Sequence, residues 1–207
     1  MAALGFTQAD FRVFKIEDFS ARMGEIYARI RPKLLRLGNE LALDLAHRLH
    51  MEFFPHVARH TRRTVNPPPE TWAAFGPSPN GYKRYGYLAL CISGAGIHAR
   101  AVVKAEADGR PQMADRIINH KPQLQRAFRG TRIARCDNWE CDGLPDEMDA
   151  DSALFQELSD SLRKKTGGID LGFGWPASLA SRLQREEVLD AFRELEPLYR
   201  LLQSDVS

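Results

Sequence analysis

Apolar positions in the first fifty residues recur at helical spacing. Phe6, Phe11 and Phe14 surround Thr7 and Asp10, which are placed as in a capping box with Asp instead of Glu or Gln. Asp18 or Ser20 can cap a second helix, in which Phe19, Met23, Ile26 and Ile30 repeat every three or four residues. Pro32 should stop or kink that helix, or open the next. Leu34, Leu37, Leu41, Leu45 and Leu49 then form an apolar stripe reaching to about His50, which reads as core packing.

The period changes after residue 52. Residues 53–65 alternate loosely, which predicts extended backbone with a break at Pro55, and Pro67, Pro68 and Pro69 cannot donate to a sheet ladder. Residues 71–75 (TWAAF) predict a strand, and residues 76–81 (GPSPNG) a loop closed by an Asn-Gly turn. Residues 85–92 and 97–107 predict two antiparallel strands about a Ser-Gly-Ala-Gly turn. Short helices follow at 113–121 and 123–128, broken at Pro122. A strand at 131–137, an acidic loop at 144–150 and a helix at 152–165 come next. Residues 169–175 (IDLGFGW) predict a short strand, and 184–202 a final amphipathic helix with a kink before Pro197.

Regular strand–helix alternation is absent. The pattern predicts an α+β fold: a mostly antiparallel sheet of about five to six strands covered by helices, in a single compact domain. N-terminal helices occupy residues 7–50, a sheet-rich middle 53–137 and C-terminal helices 152–202.

Composition narrows the class. Of 207 residues, 43% are hydrophobic, enough for a sizeable core, and the net charge of +2 is too small to argue for nucleic acid. No apolar run reaches the roughly 18 residues of a membrane span, and the N-terminus lacks a secretory pattern. Cys91, Cys136 and Cys141 are an odd number at unremarkable spacing, which suits reduced thiols and a cytoplasmic protein. Seven Lys/Arg and one acid lie between residues 110 and 135, and nine acids and no base between 137 and 160. The two blocks read as solvated faces or as partners for each other.

Candidate chemistry concentrates in residues 56–84. Arg59, Arg62, Arg63, Lys83 and Arg84 put five fixed cations in this stretch, with Glu70 its only acid. Arginine forks bind carboxylate or phosphate oxygens through paired hydrogen bonds. In an extended strand Arg62 and Arg63 point to opposite faces, so one is expected to be structural and the other to face a pocket. Thr61, Thr64 and Asn66 offer polar groups, and Trp72, Phe75, Tyr82 and Tyr85 a stacking wall. The expected ligand-binding set is Arg62, Arg63, Thr64, Asn66, Trp72, Tyr82 and Lys83, with His56 and His60 as candidates for acid–base work. No metal and no cofactor is expected. His56-x-x-x-His60 lacks the metalloprotease glutamate, His47 and His50 lack a third ligand, and Cys136 with Cys141 lacks the second pair of a zinc site. The acids after Cys136 do not match a calcium loop, and no phosphate loop, dinucleotide fingerprint or serine elbow occurs.

The run HVARHTRRTVNPPPETWAAF followed by GYK resembles the core motif of the YktB-like family of small uncharacterised bacterial proteins. GFTQADFRVF at residues 5–14, ARM at 21–23 and IRPKLLRLG at 30–38 extend the likeness over the first half. The family pattern carries onto His56, His60, Arg62, Arg63, Thr64, Asn66, Pro67, Pro68, Thr71, Trp72, Phe75, Gly81, Tyr82 and Lys83. It departs after Lys83, where Arg84-Tyr85-Gly86-Tyr87-Leu88 replaces a Pro-His-Phe-Gln-like run. The resemblance implies a compact α+β bacterial protein and no established activity. The expected function is binding of a small phosphate- or carboxylate-bearing ligand, with catalysis left open. The alternatives are a protein–protein interaction module and, disfavoured, a nucleic-acid binder.

Overall fold

The structure is a computed structural model that describes residues 2–136 and 146–203. A capping box starts α1 (Gln8–Arg12): the Thr7 N–H donates to Asp10 Oδ2 at 2.7 Å. Asp serves there because the same oxygen also accepts from Lys33 Nζ at 2.6 Å. Asp18, not Ser20, caps α2 (Phe19–Glu25), accepting from the Ala21 N–H at 2.7 Å. This helix passes through a π-helical turn (Ile26–Ile30) into α3 (Arg31–Leu49), whose first turn contains Pro32. A proline ring collides with the carbonyl four residues back, and widening the turn relieves that collision.

Seven strands, among the described residues, form one open antiparallel sheet. They are β1 (Phe54–Val57), β2 (Glu70–Gly76), β3 (Gly86–Ser93), β4 (Gly96–Val103), β5 (Arg132–Arg135), β6 (Glu147–Asp149) and β7 (Ile169–Pro176). Their spatial order is β1-β2-β3-β4-β7-β5-β6. The sheet exceeds the expected strand number because β6 lies inside the predicted acidic loop. It has no apolar alternation, and its exposed residues are neutralised by Arg132, which approaches Asp149 at 3.3 Å and Glu147 at 3.6 Å. Residues 144 and 145 of the acidic loop expected at 144–150, and residue 137 of the strand expected at 131–137, lie outside the described residues.

One face of the sheet carries the main core. Leu34, Leu37, Leu41, Leu45 and Leu49 of α3 pack with Ala73, Phe75, Leu88, Leu90, Ile97, Ala99 and Leu171. The same core includes Val188, Phe192, Leu195 and Leu198 of α7 (Arg185–Leu201), and Leu154, Phe155, Leu158 and Leu162 of α6 (Ser152–Arg163). Helices α4 (Arg110–Asn119) and α5 (Lys121–Ala127) complete that layer with Met113, Ile117 and Leu124. The first of these begins before the predicted residue 113 because Pro111 fits the first turn. The strand expected to reach residue 107 ends at Val103, where turns lead to Gly109 at φ +67°.

The opposite face is buried too, but it is not purely apolar. Trp72, Ala74, Tyr87, Ala89, Cys91 and Val102 share it. Arg100, 1% exposed, lies among them and donates from Nη1 to Asp170 Oδ2 at 3.2 Å and from Nη2 to Glu70. Burial opposes the Arg100 charge, but Cys91, Asp170 and Glu70 together raise its pKa well above the ordinary value. Burial raises Asp170, while the guanidinium pulls it down. Gly172 is paired opposite Arg100, and a Cβ there would lie 1.9 Å from the Ala99 carbonyl oxygen. Cys91 is free and buried, whereas Cys136 is disulfide-bonded, correcting the expectation of thiols throughout; sequence spacing does not report the Cα separation a disulfide requires.

Removing one partner of a buried ion cluster leaves the others uncompensated. Arg100→Met should therefore lower unfolding stability by about 3–5 kcal/mol in urea titrations. A loss below about 1 kcal/mol would show that the cluster does not organise this face.

Candidate functional site

The candidate site forms where the chain leaves the sheet at its β1 edge. The Ala58 N–H donates to the Trp72 carbonyl at 3.0 Å, and pairing then stops. His60 turns the backbone at φ +52°, and the Arg63 N–H donates to the His60 carbonyl at 3.0 Å. The expectation of extended backbone through residue 65 is thus corrected: the strand ends at Val57, and a turn-rich loop runs to β2. Histidine tolerates the left-handed region better than most residues, which permits the turn.

This turn, rather than strand alternation, separates the two arginines. Arg63 Nη1 donates to the Asn66 carbonyl at 3.3 Å, bracing the loop. Arg62 is exposed and has no hydrogen bond or ion pair among the described residues.

A cavity of about 620 Å³ wraps the edge of β1. Arg31 and Leu35 of α3 line it beside Pro55 and Val57, whose side chains lie on the core face of the sheet. His56, Trp72 and Tyr82 line it from the opposite face, with Lys83 beyond them. Arg59, His60, Thr61, Arg62 and Arg63 supply the loop side. The structure therefore brings together seven of the sequence-derived candidates: His56, His60, Arg62, Arg63, Trp72, Tyr82 and Lys83. Thr64 and Asn66 are not in the lining, and Asn66 serves instead as the carbonyl acceptor of Arg63. Arg84 turns away to Asp108 at 2.7 Å, and Phe75 belongs to the core against Phe192. Glu70, the lone acid of the stretch, faces Arg100 on the sheet and is not among the described lining residues.

Arg31 and Leu35 are the lining residues that sequence reasoning missed. Arg31 sits far upstream, where nothing local marks it. Its Nη1 donates to the Val57 and Ala58 carbonyls at 3.4 and 2.9 Å, tying α3 to the open edge of β1. Leu35 did leave a signal: it is apolar yet falls off the leucine stripe, and it is 45% exposed. Tyr27 anchors the loop by donating its hydroxyl to the Arg59 carbonyl at 2.8 Å.

The floor is a chain of aromatic contacts. Trp72 Nε1–H donates to the Tyr82 hydroxyl at 3.0 Å, and the Tyr82 ring meets Tyr87 edge-on at 4.7 Å. His60 stands edge-on to Trp72 at 5.3 Å, with its Nε2 3.0 Å from Thr71 Oγ1. His56 Nε2–H donates to the Ser78 carbonyl at 2.9 Å, so the neutral ring keeps Nδ1 as its acceptor. Burial raises the Tyr82 hydroxyl to about 12. Burial, with Arg63, Lys83 and Arg31 adding to it, pushes His60 down to about 4. His60 is therefore neutral near pH 7 and lacks there the imidazolium form of an ordinary histidine general acid. Among the described residues, no group of three or more His, Cys, Asp or Glu is placed to hold a metal ion.

These features define an α+β protein with an open antiparallel sheet and a cation-lined cavity at one sheet edge. The chain belongs to the family described as a domain of unknown function, DUF1054, which matches residues 6–199. A "UPF0637 protein" of Lysinibacillus sphaericus (strain C3-41) is 32% identical over 98% of this chain and 97% of its own length. The "UPF0637 protein" of Staphylococcus carnosus (strain TM300) is 43% identical over 64% of this chain and 66% of its own. That of Oceanobacillus iheyensis, "UPF0637 protein OB1420", is 28% identical over 95% of this chain and 96% of its own. Family membership thus runs through both halves of the chain and is not confined to the N-terminal motifs. No helix among the described residues is long and apolar enough to cross a membrane.

The histidines predict an acid response. Burial, with Arg100 adding to it, pushes His98 down to about 3, and its Nε2 has no hydrogen-bond partner. The unfolded chain protonates both His60 and His98 near the ordinary value of 6.5. Their contribution to stability is present above that pH and is lost as pH falls toward about 4 for His60 and about 3 for His98. Thermal melts between pH 7 and 4 should decline less steeply in His60→Gln than in the unsubstituted protein. Parallel declines would contradict the depressed His60.

Proposed function

We propose that the protein binds a small organic anion, bearing phosphate or carboxylate, in the cavity at the β1 edge. One observation carries this reading: the described lining contains Arg31, Arg59, Arg62, Arg63 and Lys83 and no Asp or Glu. Arg62, exposed on the loop, has no hydrogen bond or ion pair among the described residues. Lys83 reaches Glu106 only at 4.0 Å, between two half-exposed side chains, an arrangement that contributes little. Like charges converging on one concave surface repel each other, and an anion bound among them relieves that repulsion.

The charged blocks support this reading over a macromolecular partner. Arg110 is spent on the carbonyls of Leu162, Lys164, Lys165 and Gly167, and Arg116 on those of Leu201 and Gln203. Arg132 and Arg135 pair with acids of the following block. That leaves Lys121, Arg126 and Arg129 of the seven to meet a nucleic acid, fewer than a basic face built for one presents.

Calorimetric titration with inorganic phosphate at low ionic strength tests the proposal. Arg62→Ala should weaken binding by about tenfold, the value of one charge-assisted hydrogen bond. The thermal midpoint should stay nearly unchanged, because an exposed, unpaired side chain is removed. Equal phosphate affinity in the two proteins would contradict a role for Arg62.

A further inference from the structure

We infer that the ligand is a phosphate monoester carried on an apolar, ring-sized body; this rests on the anion-binding reading of the same cavity. Size comes first. About 620 Å³ lies within the roughly 300–1,000 Å³ typical of sites for organic ligands. A bare phosphate displaces only a few water molecules, each of about 30 Å³ in the liquid.

The lining is divided in the way such a molecule needs. Arg59, Arg62 and Arg63 stand on the loop, with Lys83 on the loop after β2. Leu35, Pro55 and Val57 form an apolar wall from α3 and β1. Leu35 remains 45% exposed, although it lies on the helix that buries Leu34, Leu37, Leu41, Leu45 and Leu49. An apolar body laid against it would remove that surface from water, which a simple anion cannot do.

Charge selects the head group. A phosphate monoester carries about −1.5 to −2 at pH 7, against −1 for a carboxylate, so it gains more from a cluster of fixed cations. The described lining offers no carboxylate to receive an ammonium group, which disfavours amino acids and other zwitterions. A nucleoside monophosphate and a phosphorylated aryl compound share the required chemistry.

Calorimetry on the full chain with inorganic phosphate, benzoate, phenyl phosphate and adenosine monophosphate separates the cases. Phenyl phosphate should bind about tenfold or more tightly than either inorganic phosphate or benzoate. Leu35→Ser should shrink the preference for phenyl phosphate over inorganic phosphate while leaving inorganic phosphate unchanged. Leu43→Ser removes an exposed leucine of the same helix, 67% exposed and outside the cavity lining, and should change neither affinity. Adenosine monophosphate binding more tightly than phenyl phosphate supports a nucleoside body, and binding more weakly supports a smaller ring. Equal affinities for phenyl phosphate and inorganic phosphate would overturn the apolar body yet leave the anion site standing. Benzoate matching phenyl phosphate would overturn the dianionic head group. Failure of all four to bind would remove the anion site itself.

Discussion

Arg100 carries a full charge into a sheet face that is closed to water, and it can do so because Glu70 and Asp170 meet it from β2 and β7. An isolated guanidinium there would be prohibitively costly, so the three groups act as one unit. The unit spans four adjacent strands, from β2 across β3 and β4 to β7, and its consequences extend outward along β2. Trp72 follows Glu70 by two residues and lies on the same face. From that position it donates to the Tyr82 hydroxyl and takes the edge of the His60 ring. The floor of the cavity is thus an extension of the buried ion cluster, positioned by strand geometry.

The cavity also depends on how β1 ends. An edge strand offers unpaired backbone groups to any passing strand. Here Pro55 removes one donor, and Arg31 covers the carbonyls of Val57 and Ala58. The edge is blunted against strand addition and remains one wall of the cavity. The π-helical turn before Pro32 belongs to the same arrangement, because it leads directly into Arg31 and the face carrying Leu35. Loop cations, helix and sheet edge meet at one place through three separate local constraints: the proline in α3, the left-handed His60 and the aromatic floor.

Much of this was legible in the sequence, and the exceptions share physical causes. The leucine stripe of α3 and the alternation of β3 and β4 depend on local period, so they could be read directly. The cationic stretch could be read as a site because its members are close in sequence. Glu70 belongs to the same stretch, yet side-chain direction on β2 sends it to Arg100 on the sheet. Strand β6 was invisible because charge pairing with Arg132, not apolar alternation, favours it. The end of β1 was missed because a single positive φ at His60 decides it. Arg31 was missed because only tertiary packing brings it to the loop. Arg62 and Arg63 both line the cavity, and a turn, not strand alternation, sets them apart.

The proposed anion site would place a negative charge in the field of the cations around His60. Nuclear magnetic resonance titration of the His60 imidazole, with and without saturating inorganic phosphate, tests this most directly. In the free protein the ring should titrate near 4, held down by burial and by Arg63, Lys83 and Arg31. Bound phosphate should raise that value, because a nearby anion favours the imidazolium form. A midpoint near the ordinary 6.5 in the free protein, or one that phosphate leaves unmoved, would contradict the account.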